Sequence, residues 1–436
     1  MKTKSLKKDK VNVITLGCSK NLVDSEVLSG QLKANDIEVV HESSRLDHNI
    51  VIINTCGFID RAKEESVNSI LEQVEMKKRG KIDKVYVTGC LSERYKQSLE
   101  AEIPEVDAYF GTMELAQILK KFGADYKTEL IGERFLSTPA HYAYLKISEG
   151  CNRTCSFCAI PLMRGNHVSI PIEQLVAEAE SLVRKGVKEI MLIAQELTYY
   201  GLDIYKKREL PRLLHALADI RGLEWIRLHY AYPSKFPLQI IEVMKERENI
   251  CNYLDMPLQH ASDRMLSAMR RQINRAEICE LIGSIRSLIP GICLRTTLIA
   301  GFPGETEEDL GETKTFLREH RFDRVGIFTY SHEEGTAAYG LEDDIAPEVK
   351  DRRARELMQV QQEISYEKNA EKIGKQFRVM IDKKEAGHYL GRTEFDSVEV
   401  DNEVIIAANE PLAIGDFVQV RITGAYDYDL EGELIC

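Results

Sequence analysis

The sequence predicts a multidomain α/β chain in three parts: an open parallel α/β sheet, a partial (β/α)6 barrel of the TIM type, and a small β-barrel. Three observations predict it. Short β-branched runs alternate with helical periodicity up to about residue 122, a second series of strand–helix repeats begins near Tyr142, and helical periodicity is absent after residue 371. The sharpest changes of character lie near 135 and 371. They predict domains at 1–135, 136–370 and 371–436.

In the first part VNVITLG precedes a helical pattern over 21–34, NIVIINT one over 59–79, KVYVTG one over 92–99, and AYFG one over 113–122. Ligands of open parallel sheets bind beyond the carboxyl ends of the strands. Cys18, Cys56 and Cys90 each follow one of the first three strand runs, so the pattern expects three thiols on one rim.

The second part offers YAYLKIS, EIMLIAQ, WIRLHY, NYLDMPL, CLRTTLIAG and RVGIFTY, with helical stretches over 171–184, 210–218, 237–245, 275–287 and 306–319. Repeated βα units without an obvious break in strand order suggest a barrel with its chemistry on the loops after the strands. A charged helix over 347–372 leads out of it. The third part, with FRVMID, HYLGRT, SVEVDN, EVIIAA and DFVQVRITGAYD between turn signals, reads as a small barrel of the OB type.

Composition narrows the function. Of 436 residues 44% are apolar, which excludes general disorder. No apolar run approaches the ~20 residues of a membrane span, and the lysines at 2, 4, 7, 8 and 10 lead into a strand rather than a signal-peptide core. A cytoplasmic protein without a membrane partner is expected, and with no exposed heptad stripe the default is a monomer. Lys and Arg number 58 against 70 Asp and Glu, a net charge of −12, which disfavours a surface dominated by phosphate contacts and favours a basic partner. Ten cysteines in a reducing compartment point to metal or redox chemistry rather than disulfides.

The strongest motif is Glu149-Gly150-Cys151-Asn152-Arg153-Thr154-Cys155-Ser156-Phe157-Cys158, a C-x3-C-x2-C run at the end of the first barrel strand. Closed zinc and iron–sulfur sites usually take four protein ligands. Three thiolates on a cubane leave one iron open to a small ligand. Both the spacing and Phe157 before the last cysteine resemble the radical S-adenosylmethionine superfamily. That resemblance implies a [4Fe-4S] cluster on Cys151, Cys155 and Cys158 whose open iron chelates S-adenosylmethionine, cleaved on reduction to a 5′-deoxyadenosyl radical. Gln195 and Glu196 stand where the superfamily has a Gly-Gly-Glu segment for the cofactor's amino group, although the glycines are missing. Gly301-Phe302-Pro303 resembles its Gly-x-Pro segment near the adenine, and is also a plain tight turn.

Together with LGCSKNLVDSE, NTCGFI and TGCLS, these segments resemble the methylthiotransferase family over essentially the whole chain. The resemblance implies a second [4Fe-4S] cluster on Cys18, Cys56 and Cys90, holding the sulfur to be inserted, and a C-terminal TRAM module. It also implies S-adenosylmethionine as both radical source and methyl donor, with an external electron donor. One branch of the family modifies a tRNA adenosine, and the other the β-carbon of an aspartate in small-subunit ribosomal protein twelve, free or on the ribosome. Cys-Ser-Lys-Asn at 18–21 resembles the ribosomal-protein branch, since tRNA-modifying relatives usually carry Cys-Gln-Met-Asn. Residues 371–436 hold 7 Lys and Arg against 14 Asp and Glu, a balance repelled by RNA and attracted to a basic ribosomal protein. A non-enzymatic iron–sulfur adaptor of the ribosome is the alternative of another class, but an adaptor gains nothing from an open coordination site. Cys251, Cys279 and Cys293 fit core positions, Cys436 a free thiol, and His260 and Arg295 structural pairs.

Overall fold

A computed structural model describes residues 9–435 except 46, 128, 129, 131, 132 and 409, so Cys436 and the lysines at 2, 4, 7 and 8 lie outside the described residues. The chain forms two compact units. One gathers the chain up to Pro139 with Tyr144–Asn152 and Cys158–Ser181, the other Ala140–Ala143, Arg153–Phe157 and Leu182–Cys436.

The first unit is built on strands β1 (Lys10–Thr15), β2 (Glu38–His41), β3 (Ile50–Thr55), β4 (Lys84–Gly89) and β5 (Ala108–Tyr109). All pair in parallel in the order β2-β1-β3-β4-β5. Helices α1 (Ser19–Ala34), α2 (Asp60–Lys78), α3 (Cys90–Glu102) and α4 (Leu115–Lys121) alternate with them. The run Ile50-Val51-Ile52-Ile53 is buried at every position, as a parallel strand covered on both faces must be. Ile50 and Ile52 pack with Val11, Val13, Leu28 and Leu32 on one side. Val51 and Ile53 pack with Ile70, Val85, Val87 and Leu91 on the other. The short strand β2 carries no sequence expectation of its own; it extends the sheet at an edge.

In the second unit, strands at Glu189–Ile193, Trp225–Leu228, Ile250–Asp255, Cys293–Ala300 and Arg324–Thr329 pair in parallel as neighbours in sequence. The strand Tyr142–Lys146 completes a sheet of six, and within this unit His141 carbonyl oxygen accepts from the N–H groups of Lys188 and Glu189. All six expected strand runs are strands. The intervening helices have apolar faces, such as Leu210, Leu213, Leu214 and Leu217 on Leu210–Ala218, and two begin with a capping box, at Asn274 and Thr306. The long helix runs Pro347–Ala370.

The C-terminal strands Gln376–Glu385, His388–Arg392, Val404–Ala407, Phe417–Ala425 and Leu430–Leu434 close into a barrel. Its inward row of Val379, Ile381, Tyr389, Val404, Ile406, Val420, Ile422 and Leu430 fills the centre. Two expectations differ here. SVEVDN is not a strand: Asp396, buried against Arg324, and Asp401, whose carboxylate accepts from the Tyr253 hydroxyl and the Ser397 N–H, fold 393–403 into turns. The acid-rich end instead supplies the fifth strand, because Leu430 and Gly432 point inward while Glu431 and Glu433 stay exposed.

Inward-facing acids also qualify the charge argument. Asp396 and Asp401 are consumed in internal pairs with Arg324 and Arg295, which lie outside the module, so its surface is less acidic than its composition.

Candidate active site

The three cysteines of the first unit follow three strands that are adjacent in its sheet. Cys18 comes three residues after β1, Cys56 directly after β3, and Cys90 directly after β4 as the first residue of α3. Asn21 ties the first two loops together. Its Nδ2 donates to the carbonyl oxygens of Leu16 (2.8 Å) and Thr55 (3.0 Å), while its own carbonyl accepts from Asn54 (2.8 Å). Ser66 Oγ both accepts from the Cys56 N–H and donates to the Cys56 carbonyl. Gly17 sits at φ +91°, and a Cβ there would lie 2.6 Å from Cys56 Cβ and 2.8 Å from its sulfur. Close approach of this loop to Cys56 therefore requires glycine. Gly89, at φ +98°, has the same reason, with Asn54 and Thr55 against it.

The thiols are electrostatically aware of one another. Burial pushes Cys56 up, with Cys18 adding to the rise, and pushes Cys90 up to about 12, with Arg164 pulling the other way. Arg164 Nε donates to Cys90 Sγ at 3.2 Å. Cys18 is exposed and the other two are buried.

Cys151 and Cys158 belong to the first unit, where the Cys151 N–H donates to the Gly165 carbonyl at 3.1 Å. Cys155 and Phe157 belong to the second. There Arg271 Nη1 donates to Cys155 Sγ at 3.1 Å, the Tyr232 hydroxyl lies 3.7 Å from the same sulfur, and Tyr232 donates to the Arg271 carbonyl at 2.7 Å. Gln195 and Glu196 follow the strand Glu189–Ile193. Glu196 caps a short turn by accepting from the Thr198 N–H, and its carboxylate receives Arg153 from the cysteine motif at 2.8 Å. Phe157 packs with Phe302, Met265, Met269 and Tyr330, which brings it to the turn Gly301-Phe302-Pro303. The Gly301 N–H donates to Glu305, which also holds His260 and Arg353.

His260 and Arg295 thus have structural partners, as expected: Nε2 of His260 lies in hydrogen-bond contact with Glu305, and Arg295 forms an ion pair with Asp255. Cys251 and Cys293 sit in a core with Trp225 and Tyr253. Sequence reasoning missed Arg164 and Arg271, and it placed Arg153 in the cysteine motif and Tyr232 at a barrel strand end without a role for either. Arg164 and Arg271 reach cysteines 74 and 116 residues away.

Among the described residues no group of three or more His, Cys, Asp or Glu is gathered as for a single metal ion. A cluster takes each thiolate on a different iron, and hydrogen bonds to the sulfurs are part of how proteins hold and tune it. The N–H donors on Cys90 and Cys155 suit thiolate ligands of that kind.

Three family models match the chain: an uncharacterized protein family, UPF0004, over residues 10–111, the radical SAM superfamily over 145–317, and the TRAM domain over 373–435. The "Ribosomal protein uS12 methylthiotransferase RimO" of Flavobacterium johnsoniae is 60% identical over 99% of this chain and 100% of that protein. The chain belongs to the RimO family. Proteins of the same name from Cytophaga hutchinsonii and Phocaeicola vulgatus are 58% and 54% identical, covering 100% and 99% of this chain and 100% of each relative. Among solved structures, the radical S-adenosylmethionine methyltransferase TsrM of Kitasatospora setae shares the fold with a TM-score of 0.55 at 16% identity, over 74% of this chain and 75% of that one. Membership of the RimO family makes the chain a radical S-adenosylmethionine methylthiotransferase, with an iron–sulfur cluster and S-adenosylmethionine as its cofactors. No helix among the described residues is long and apolar enough to cross a membrane.

Proposed function

We propose that this chain inserts sulfur and a methyl group at the β-carbon of an aspartate of ribosomal protein uS12. The observation that carries the reading is full-length identity of 60% to a RimO protein, combined with two separate cysteine triads in the positions the family resemblance requires. Cys151, Cys155 and Cys158 would hold one four-iron cluster, and Cys18, Cys56 and Cys90 a second. When bound, these groups would supply the reductive cleavage of S-adenosylmethionine and the sulfur to be transferred, since acid–base catalysis does not replace an unactivated C–H hydrogen.

The chain's own residues then have definite work. Arg271 and Tyr232 orient the Cys155 sulfur, and Arg153, clamped by Glu196, fixes the loop between Cys151 and Cys155. Phe157 packs the end of that loop on Phe302, so the Gly301–Pro303 turn is set against the motif. Gln195, Glu196, Gly301 and Pro303 are assigned to the S-adenosylmethionine side of this site. Domains at 1–135, 136–370 and 371–436 would carry the sulfur centre, the radical centre and the TRAM module. A monomer working in the cytoplasm with an external electron donor is the simplest form of the enzyme.

The test is methylthio transfer by the reduced, cluster-loaded protein to recombinant uS12 and, in parallel, to tRNA. A mass gain of one methylthio group in place of hydrogen, localised to an aspartate of uS12, is expected. Transfer to tRNA alone would assign the other branch. Intact clusters without production of 5′-deoxyadenosine would leave only an adaptor.

A further inference from the structure

Arg164 lies outside every motif read from the sequence, at the end of the short helix Ile160–Arg164, yet its side chain is only 2% exposed. Four of its contacts are defined. Nε donates to Cys90 Sγ at 3.2 Å, Nη1 to Asp24 at 2.6 Å and to Glu149 at 3.1 Å, and Nη2 to Asn21 Oδ1. Lys146 pairs with the same two carboxylates, Asp24 and Glu149. Two cations and two carboxylates balance, so the ion network is electrically complete without the sulfur, and the Nε hydrogen bond to Cys90 is an addition to it. A guanidinium makes such divergent contacts from one rigid plane, which an ammonium does not.

The same side chain reaches the other two cysteine loops through Asn21, whose amide holds the Leu16 and Thr55 carbonyls beside Cys18 and Cys56. The next residue, Gly165, accepts the Cys151 N–H, and Glu149 lies two residues before Cys151. We propose that Arg164 is the positioning residue of the sulfur-carrying centre, holding the Cys90 sulfur as a hydrogen-bond acceptor while bracing the loops of Cys18 and Cys56 and the backbone of Cys151. The proposal rests on the reading that Cys18, Cys56 and Cys90 hold a cluster. An N–H donor on a cluster thiolate favours the more negative, reduced state, so Arg164 makes that centre easier to reduce.

The experiment uses the full chain carrying C151A, C155A and C158A, which leaves one cysteine triad, and compares it with the same chain bearing R164Q or R164K. Iron content and an EPR-monitored redox titration are the readouts. At the potential where half of the parent cluster is reduced, R164Q is expected to lower the reduced-to-oxidised ratio about tenfold, the equivalent of one hydrogen bond to a charged acceptor. R164K, which keeps the charge and loses the planar fork, should fall between. An unchanged ratio in R164Q overturns the proposal. Should R164Q fail to fold, R164K is read in the same way, and loss of fold in both variants overturns it by making Arg164 a structural residue. A parent chain that binds no iron brings down the cluster reading itself, and this proposal with it.

Discussion

Arg153 donates two hydrogen bonds to one oxygen of Glu196, from Nε at 3.0 Å and Nη2 at 2.8 Å, with both side chains no more than 4% exposed. The guanidinium also lies 3.9 Å from the Tyr199 ring centroid and 3.8 Å from that of Tyr232. Tyr232 in turn stands beside Cys155. A carboxylate after one strand is thereby linked, through two side chains, to a thiol of the cysteine motif.

Removing that carboxylate takes the charged acceptor of two hydrogen bonds from a buried cation. E196A should cost about 3–5 kcal/mol of stability, and E196Q less, because the amide oxygen still accepts. Urea unfolding measures the first effect, and 5′-deoxyadenosine production should fall in both variants. Wild-type stability in E196A would show that Arg153 finds its compensation elsewhere.

The Gly17 contact gives a sharper handle on the first unit. In G17A the new methyl group meets Cys56 within 2.8 Å and the backbone must leave φ +91°. On the proposed two-cluster reading, iron should drop from about eight to about four per chain, at four irons per cluster, while cleavage of S-adenosylmethionine persists. Full iron retention in G17A would count against Cys56 as a ligand.

A pH dependence follows from Cys251, which is not among the proposed ligands. Burial pushes its thiol from 9.0 up to about 12, against the opposing pull of Arg227. The unfolded chain ionises first, so stability from this group is complete below pH 9 and declines as pH rises toward 12, by about 1.4 kcal/mol per unit. The stability gap between the parent and C251A should therefore narrow across that interval. Denaturant midpoints at successive pH values test this, and a constant gap would contradict it. In the cluster-free protein the exposed Cys18 should alkylate and the buried Cys251 should not.

The turns at 393–403 make a further prediction. Asp401 accepts from the Tyr253 hydroxyl at 2.7 Å and pairs with Arg295, and Ser397 meets His229 at 3.0 Å. D401A should destabilise the second unit by about 3 kcal/mol or more, since Arg295 then loses a buried carboxylate partner. A chain truncated after residue 370 should precipitate, because Trp225, Cys251, Tyr253 and Cys293 lose Met380, Phe395 and Phe417. Light scattering of the truncated protein decides the second point.

Much of this was legible in the sequence. Cys18, Cys56 and Cys90 could be placed on one rim because each follows a run such as NIVIINT, and parallel strands put their following loops on the same edge. The barrel strands were legible for the same reason: all are short, β-branched and flanked by helical periodicity. Arg164 and Arg271 were not, because a side chain that reaches a sulfur across 74 or 116 residues leaves no periodic trace. SVEVDN alternates as a strand does, but the burial of Asp396 and Asp401 against arginines from distant strands overrides the pattern. Charge counting is coarse for a related reason, since composition does not distinguish an acid on the surface from one paired inside.

Asp401, Asp396 and Ser397 also bear on how such an enzyme can change over evolutionary time. Their partners Tyr253, Arg295, Arg324 and His229 belong to the barrel strands or follow them directly, so the C-terminal module is keyed to this barrel residue by residue. Exchanging it for a foreign module would orphan several buried charges at once. New target preferences are accordingly more accessible through substitutions on the exposed strands of the existing module than through recombination of whole domains.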